Sequence, residues 1–180
     1  MKCRKNILEV VPFCEQSGTR LALETIWNFT EQTGEKSSLG ETEEEFLEIV
    51  NFSDSECLGI HIDTGHSHLL GNLMRMVELA GDRLFSFNIH DNHGQREGGH
   101  WDEHLIPGEG DVDWERFMSI LANVNYNEAL VVAAAAQGPH RESLRVNSAL
   151  DAVGSATITT ASGMGRPHSS PITSLDVSFR

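Results

Sequence analysis

Short apolar runs alternate along the chain with segments in which apolar residues recur at helical spacing. The apolar runs are typical of buried parallel strands, because a strand covered on both faces loses its polar alternation. Strands are predicted at 20–24, 58–63, 84–90 and 129–136. Helices are predicted at 5–17, 42–50, 69–79, 112–121 and 140–150, where the apolar positions follow a period near 3.6.

The alternation of strands and helices predicts the α/β fold class, with a parallel sheet built from right-handed crossovers. Four βα units amount to half of a (β/α)8 barrel, which normally needs about 250 residues. Residues 1–150 are therefore predicted to form a partial TIM barrel. From residue 151 the composition shifts to Ser, Thr, Gly and Ala, which predicts a flexible or disordered tail over 151–180.

Composition narrows the classes of partner. The chain has 180 residues and a formal net charge of -14, which opposes binding to a phosphate backbone and disfavours a nucleic-acid partner. No apolar run approaches the roughly 20 residues that a membrane span requires, and the first residues lack the apolar region of a signal peptide. We expect a soluble, cytoplasmic protein without a membrane partner. The three widely spaced cysteines are expected to be reduced.

Three of the predicted strands end on a polar side chain: Glu24, Asp63 and His90. Residues at the carboxyl ends of neighbouring parallel strands meet in space, so these three are expected to converge. Two carboxylates and an imidazole suit Mn²⁺, Zn²⁺ or Co²⁺, and Mg²⁺ less well because of the histidine. The alternative is that each is a separately hydrogen-bonded residue at a strand end.

Further candidate ligands lie in the loops. His66 follows Asp63 by three residues, and either contacts the metal or substrate or packs within its loop. Asp102 and His104 are separated by one residue and can face the same side of an extended chain, where the pair could bind a second metal. His61 alternates with apolar residues inside a strand and is predicted to be a packed histidine.

Four stretches carry a family resemblance: LALE at 21–24, GIHIDTGH at 59–66, NIHDN at 88–92 and DEHLIPGEGDVDW at 102–114. Together they resemble the sugar phosphate isomerase/epimerase superfamily, the xylose isomerase-like or endonuclease IV-like barrels. The resemblance runs from about residue 20 to residue 150. It implies that the chain corresponds to the fifth through eighth strands of a TIM barrel and that the first half is absent.

The resemblance also implies roles for the candidate residues. It makes Glu24 a metal ligand and catalytic base, Asp63 and His90 metal ligands, and His66 a contact to metal or substrate. Asp102 and His104 match the loop pair that binds an additional zinc in the endonuclease branch. Isomerase-branch members move a proton between adjacent carbons of a small carbohydrate with two glutamates, and Ala133 occupies the place of the second glutamate.

These implications support three hypotheses. The first is a metal-dependent sugar (phosphate) isomerase or epimerase-like protein, truncated and with catalysis weakened or lost through Ala133. The second is an endonuclease IV-like zinc phosphodiesterase, and the third is a decayed, non-catalytic fragment. A half barrel is also expected to expose two sheet edges and an apolar interior, which favours self-association or complementation by another half barrel.

Overall fold

The computed structural model describes residues 2–27, 42–96, 99–100 and 102–134, together with two strands at 157–162 and 173–178. Its helices are α1 (Lys2–Ser17), α2 (Glu43–Val50), α3 (Thr64–Leu69), α4 (Leu73–Ala80) and α5 (Trp114–Asn123). Its strands are β1 (Leu21–Glu24), β2 (Leu58–Asp63), β3 (Leu84–Ile89), β4 (Gln95–Arg96), β5 (Gly99–His100), β6 (Leu130–Val132), β7 (Thr157–Ser162) and β8 (Thr173–Ser178).

The main sheet has the order β1-β2-β3-β6-β8-β7. The first four of these strands are parallel, with β2 between β1 and β3, and β3 between β2 and β6. Each of the three parallel pairs is linked by a helical connection, as the sequence predicts. The α/β class and the partial TIM barrel of four parallel strands are therefore confirmed.

The last part of the sheet lies in the segment that was predicted to be a tail. β8 pairs antiparallel with β6, and β7 pairs antiparallel with β8. The helix predicted at 140–150 lies outside the described residues, as do all of 135–156, 163–172 and 179–180. The division into a barrel segment at 1–150 and a flexible tail at 151–180 stays a prediction.

Local sequence signals explain where several helices begin and end. The Thr42 side chain accepts a hydrogen bond from the Glu45 N–H, which is the predicted N-cap of α2. The helix predicted at 69–79 corresponds to α4, which begins four residues later than predicted, and the short helix α3 before it was not predicted. Gly71 between them has a φ of 73°, a left-handed conformation that interrupts an α-helix. None of the helices within the described ranges is long and apolar enough to cross a membrane.

The core lies between the sheet and its helices. Six of the strand side chains that face the helices are at most 2% exposed: Ile60, Ile62, Phe87, Ile89, Leu130 and Val132. Helices α2, α4 and α5 cover them with buried apolar side chains, including Val50, Val77 and Phe117. The rings of Phe87 and Phe117 meet edge to face at a centroid distance of 5.3 Å. Burial of each such side chain stabilises the fold by about 1.5–3 kcal/mol.

The opposite face of the sheet is mostly polar. Residues paired in register in a parallel sheet point to the same side, so the face of Asp63 also carries Glu24, His61, Ser86 and Asn88. His61 is half-buried there, with Nδ1 2.6 Å from the Ser86 hydroxyl. Val131 pairs with Asn88 and is an apolar residue on the same face. The expectation that a half barrel exposes an apolar interior is therefore met only in part.

Candidate metal centre

Asp63 and His90 form the buried centre of the site. Asp63 ends β2 and caps α3, where its Oδ1 accepts a hydrogen bond from the His66 N–H at 2.9 Å. His90 follows β3, and its Nε2 lies 2.7 Å from the same oxygen. Both side chains are almost completely buried, at 1% and 0% exposed. The predicted convergence of these two strand ends is thus present in the structure.

Two threonines that no sequence pattern singled out hold this pair in place. The Thr25 hydroxyl accepts a hydrogen bond from the Asp63 N–H at 3.0 Å. The Thr64 hydroxyl accepts from the His90 N–H at 2.9 Å and donates to the His90 carbonyl at 2.6 Å. Because both threonines are buried, these bonds fix the backbone from which the two candidate ligands project.

Asp102 lies between two imidazoles. Its Oδ2 is 3.1 Å from His66 Nε2 and 3.1 Å from His104 Nε2. The other ring nitrogens face backbone carbonyls, with His66 Nδ1 3.0 Å from the Thr25 oxygen and His104 Nδ1 2.8 Å from the Ala133 oxygen. A carbonyl only accepts, so Nδ1 carries the hydrogen in both rings and Nε2 faces the carboxylate.

This tautomer is the one that metal-binding histidines adopt, because a ring N–H donated to a carbonyl leaves the other nitrogen for the ion. The described residues contain two groups whose ligand atoms lie within 4.8 Å of one another: His90, Asp102 and His104, and Glu24, Asp63 and His66. Buried His90 Nδ1 and Asp102 Oδ1 have no hydrogen-bond partner within the described part of the chain. The donor set therefore fits a divalent cation.

The pKa shifts of the clustered side chains also favour a bound cation. Burial by itself would lower the pKa of His66, but the hydrogen bond to Asp102 and the charge of Asp63 raise that pKa to about 9. The hydrogen bond to Asp102 likewise raises the pKa of His104 to about 9. Burial opposes ionisation of Asp102, yet its bonds to the two imidazoles hold its pKa below the usual range. The carboxylates thus require positive charge, which protons or a divalent cation can supply.

Glu24 is the outlying member of the predicted set. It ends the edge strand β1, is exposed, and accepts a hydrogen bond from Asn88 Nδ2 at 3.4 Å. Its carboxylate still lies within 4.8 Å of ligand atoms of Asp63 and His66. The structure thus brings all six candidates, Glu24, Asp63, His66, His90, Asp102 and His104, to one end of the sheet.

Ala133 lies beside His90 at the end of β6. Val132 pairs with Ile89, and the Ala133 N–H donates to the Ile89 carbonyl at 2.9 Å. The parallel register therefore places Ala133 on the same face as His90. Its methyl group offers no donor atom, so this strand end contributes only a carbonyl, which holds His104.

Comparison with known proteins identifies the fold family. A model of the xylose isomerase-like TIM barrel matches residues 2–150. The chain belongs to the xylose isomerase-like TIM barrel family. An uncharacterised protein of Methanocaldococcus jannaschii, MJ1311, is 33% identical over 69% of this chain and 40% of its own length. The inosose isomerase of Bacillus subtilis is 26% identical over 70% of this chain and 44% of its own length.

Solved structures of the family superpose on the same part of the chain. A D-tagatose 3-epimerase-like protein has a TM-score of 0.60 and 32% identity, covering 72% of this chain and 45% of its own. The IolI protein with a bound zinc atom also has a TM-score of 0.60, at 24% identity, covering 83% and 51%. This xylose isomerase-like chain therefore spans about half the length of these relatives.

Gly65 is required by its distance from His90. A Cβ built on Gly65 would lie 1.9 Å from His90 Cε1, closer than any real contact. In this xylose isomerase-like chain, Gly65→Ala is expected to displace the His90 ring, break its bond to Asp63 and destabilise the fold by about 1–3 kcal/mol. Urea unfolding with a chelator present measures the loss. In a His90→Ala background the same change should cost much less, and an equal cost would contradict the clash.

Proposed function

We propose that this protein is a metal-dependent sugar isomerase or epimerase-like protein that acts on a small carbohydrate by moving a proton between adjacent carbons. The observation that carries the proposal is the connected cluster of carboxylates and imidazoles at the strand ends, with buried Asp102 Oδ1 and His90 Nδ1 lacking partners among the described residues. Family membership supports the reaction class, since relatives are named inosose isomerase and D-tagatose 3-epimerase-like protein.

The chemistry of the donors selects the metal. Asp63, His90 and Glu24 are the proposed primary ligands, and Asp102, His104 and His66 the proposed ligands of a neighbouring position. Imidazole donors favour Zn²⁺, Mn²⁺ or Co²⁺ over Mg²⁺. When bound, a divalent cation polarises the sugar oxygens and makes the neighbouring carbon-bound proton more acidic.

The residues of this chain have separate proposed tasks. Glu24 is exposed at the rim, so its carboxylate is the candidate base that a substrate proton can reach. Asn88 donates to Glu24 and so orients it. Asp63 and His90 are inaccessible to solvent, which suits ligands more than proton carriers. Ala133 provides no second base, so turnover is expected to be slow.

A partner half barrel is also part of the proposal. Among the described strands β1 pairs with β2 alone, so its outer edge is open. The exposed large apolar side chains Leu8, Val10 and Phe13 belong to α1, and Ile26 follows β1. An open strand edge and exposed apolar side chains are features that another half barrel could cover. We propose that a second copy or another half barrel covers this edge.

A zinc phosphodiesterase of the endonuclease IV type is the second candidate. The observation in its favour is that one oxygen of Asp102 lies 3.1 Å from both His66 Nε2 and His104 Nε2. These three residues are the proposed ligands of the additional zinc. The net charge of -14 opposes the approach of a nucleic acid.

Metal titration followed by proton exchange tests the proposal. Light scattering first determines whether the protein is a monomer or an oligomer in solution. The affinities for Zn²⁺ and Mn²⁺ are then measured by competition with a chromophoric chelator. We expect metal binding, and exchange of a carbon-bound sugar proton in D₂O that a chelator abolishes. Absence of metal binding would refute the proposal. Binding without exchange would support a non-catalytic fragment, and incision of an abasic-site duplex would support the phosphodiesterase.

A further inference from the structure

The residue after His90 has no part in the candidate ligand set, yet it organises the loop that carries two of its members. We infer that Asp91 is a positioning residue, which fixes the loop bearing Asp102 and His104 and thereby sets the metal affinity of the site without binding the metal. The inference rests on the metal site of the proposed function. Three observations support it: the hydrogen bonds of the Asp91 carboxylate, the backbone conformation of the loop, and the close packing at Gly110.

The Asp91 side chain is fully buried and accepts four hydrogen bonds. Oδ1 accepts from the N–H groups of Asn92 at 2.9 Å and Val112 at 3.1 Å. Oδ2 accepts from the Gly108 N–H at 2.8 Å and from the Trp114 indole N–H at 2.8 Å. An ionised carboxylate only accepts, so its charge is compensated by these donors and its lone pairs are committed within the protein.

These bonds reach the ligand loop through its backbone. The Asp91 N–H donates to the Leu105 carbonyl, and the Leu105 N–H donates to the Asp91 carbonyl, both at 2.9 Å. Leu105 directly follows His104, whose φ is 50°. This is a left-handed backbone conformation that residues other than glycine rarely adopt. That conformation persists only where neighbouring structure supports it. The bridge to Leu105 and the bonds to Gly108 and Val112 provide this support.

Close packing against Asp91 and Asn92 leaves no room for a side chain at position 110. A Cβ on Gly110 would lie 2.3 Å from Asp91 Oδ1 and 2.4 Å from the Asn92 carbonyl. Asn92 in turn donates from Nδ2 to the Gly65 carbonyl at 2.9 Å, beside the His90 ring. The loop and the strand-end ligands therefore form one connected structure. Both glycines of this segment have a structural reason, because Gly108 has a φ of 91° and Gly110 has no room for a Cβ.

The test is Asp91→Asn, which keeps the side-chain volume but places an amide NH₂ against two of the four donors. Competition with a chelator gives the Zn²⁺ affinity, and NMR of the metal-free protein gives the ring-proton shifts of His66 and His104. We expect the affinity to fall about 10- to 100-fold, the range for residues that orient ligands, and the His104 ring signals to move.

The matched control is Val77→Ala, a fully buried apolar position in α4 whose side chain makes no hydrogen bonds. It lowers stability, so its effect on affinity measures what destabilisation alone does. If Asp91→Asn changes the affinity and the His104 signals no more than Val77→Ala does, the inference is wrong. The ring shifts need no metal, so they test Asp91 even if the wild-type protein binds no zinc and the proposed function fails.

Trp114→Phe covers the case in which Asp91→Asn does not fold. It removes one of the four donors and keeps an aromatic ring against Phe117, whose centroid lies 5.5 Å away. We expect an affinity loss of a few-fold and a smaller shift of the His104 signals. Wild-type affinity together with unmoved His104 signals in this variant would overturn the inference.

Discussion

Asp63→Asn is expected to weaken Zn²⁺ binding at least about 100-fold, which corresponds to about 2.8 kcal/mol. Asparagine keeps the oxygen that accepts from the His66 N–H, so α3 retains its cap. The substitution removes the charge that faces His90 Nε2 at 2.7 Å and His66 Nδ1 at 3.7 Å. Removing one partner of a buried charged pair typically costs about 3–5 kcal/mol. We therefore expect loss of the Asp63 carboxylate to weaken binding of the zinc cation strongly.

The control for Asp63→Asn is Asp113→Asn. Asp113 caps α5 by accepting from the Arg116 N–H at 3.0 Å, and it is exposed. Both variants therefore alter an aspartate cap, but only one alters the cluster. Competition titration of both proteins with a zinc chelator measures the affinities, and thermal unfolding without metal confirms that each is folded. Equal affinities would remove Asp63 from the ligand set.

Ala133→Glu is expected to tighten Zn²⁺ binding about tenfold or more, or about 1.4 kcal/mol. The position lies beside His90 on the same face of the sheet, so a longer side chain there can reach the cluster. A third carboxylate near Asp63 and Asp102 repels both when no cation is present. The variant should therefore melt below the wild-type protein in chelator and above it in zinc. If proton transfer occurs, restoring the second base should raise its rate about 10²- to 10⁴-fold.

Ala133→Gln separates charge from size. Glutamine has the same length as glutamate and adds no charge, so it should neither reverse the order of melting temperatures nor match the affinity gain. Differential scanning fluorimetry with chelator and with zinc is sufficient for the comparison. Indistinguishable behaviour of the two variants would show that residue 133 does not face the ligands.

The sequence predicted the strands well because their signals are local. β2 begins and ends at the predicted residues, 58 and 63, and β1 and β3 each differ from the prediction by one residue at one end. Each is an apolar run that ends on a polar residue, and burial of both sides of a parallel strand produces that pattern. The break between α3 and α4 was not predicted, because a glycine can also occur within a helix and the sequence does not reveal the positive φ of Gly71.

Within the site, the residues with chemically reactive side chains were predictable and their supports were not. Thr25 and Thr64 act through hydroxyl contacts to the backbone of Asp63 and His90, and neither has a distinctive spacing. Asp91 is adjacent to a predicted ligand and looked like part of a polar loop. Three of its four donors, Gly108, Val112 and Trp114, follow it by 17 to 23 positions and fold back on it, and the fourth is its neighbour Asn92.

The sequence by itself determined the α/β class, the order of the parallel strands, and the six polar residues at one end of the sheet. Apolar periodicity and polar residues at strand ends are properties of short stretches of chain, so they can be identified from the sequence alone. Only the tertiary structure decided that Asp102 joins His66 and His104, that the open face is mostly polar, and that Asp91 holds the ligand loop. Those features depend on which carbonyls and carboxylates lie within about 3 Å of a given donor, and such distances between remote residues arise only when the chain has packed.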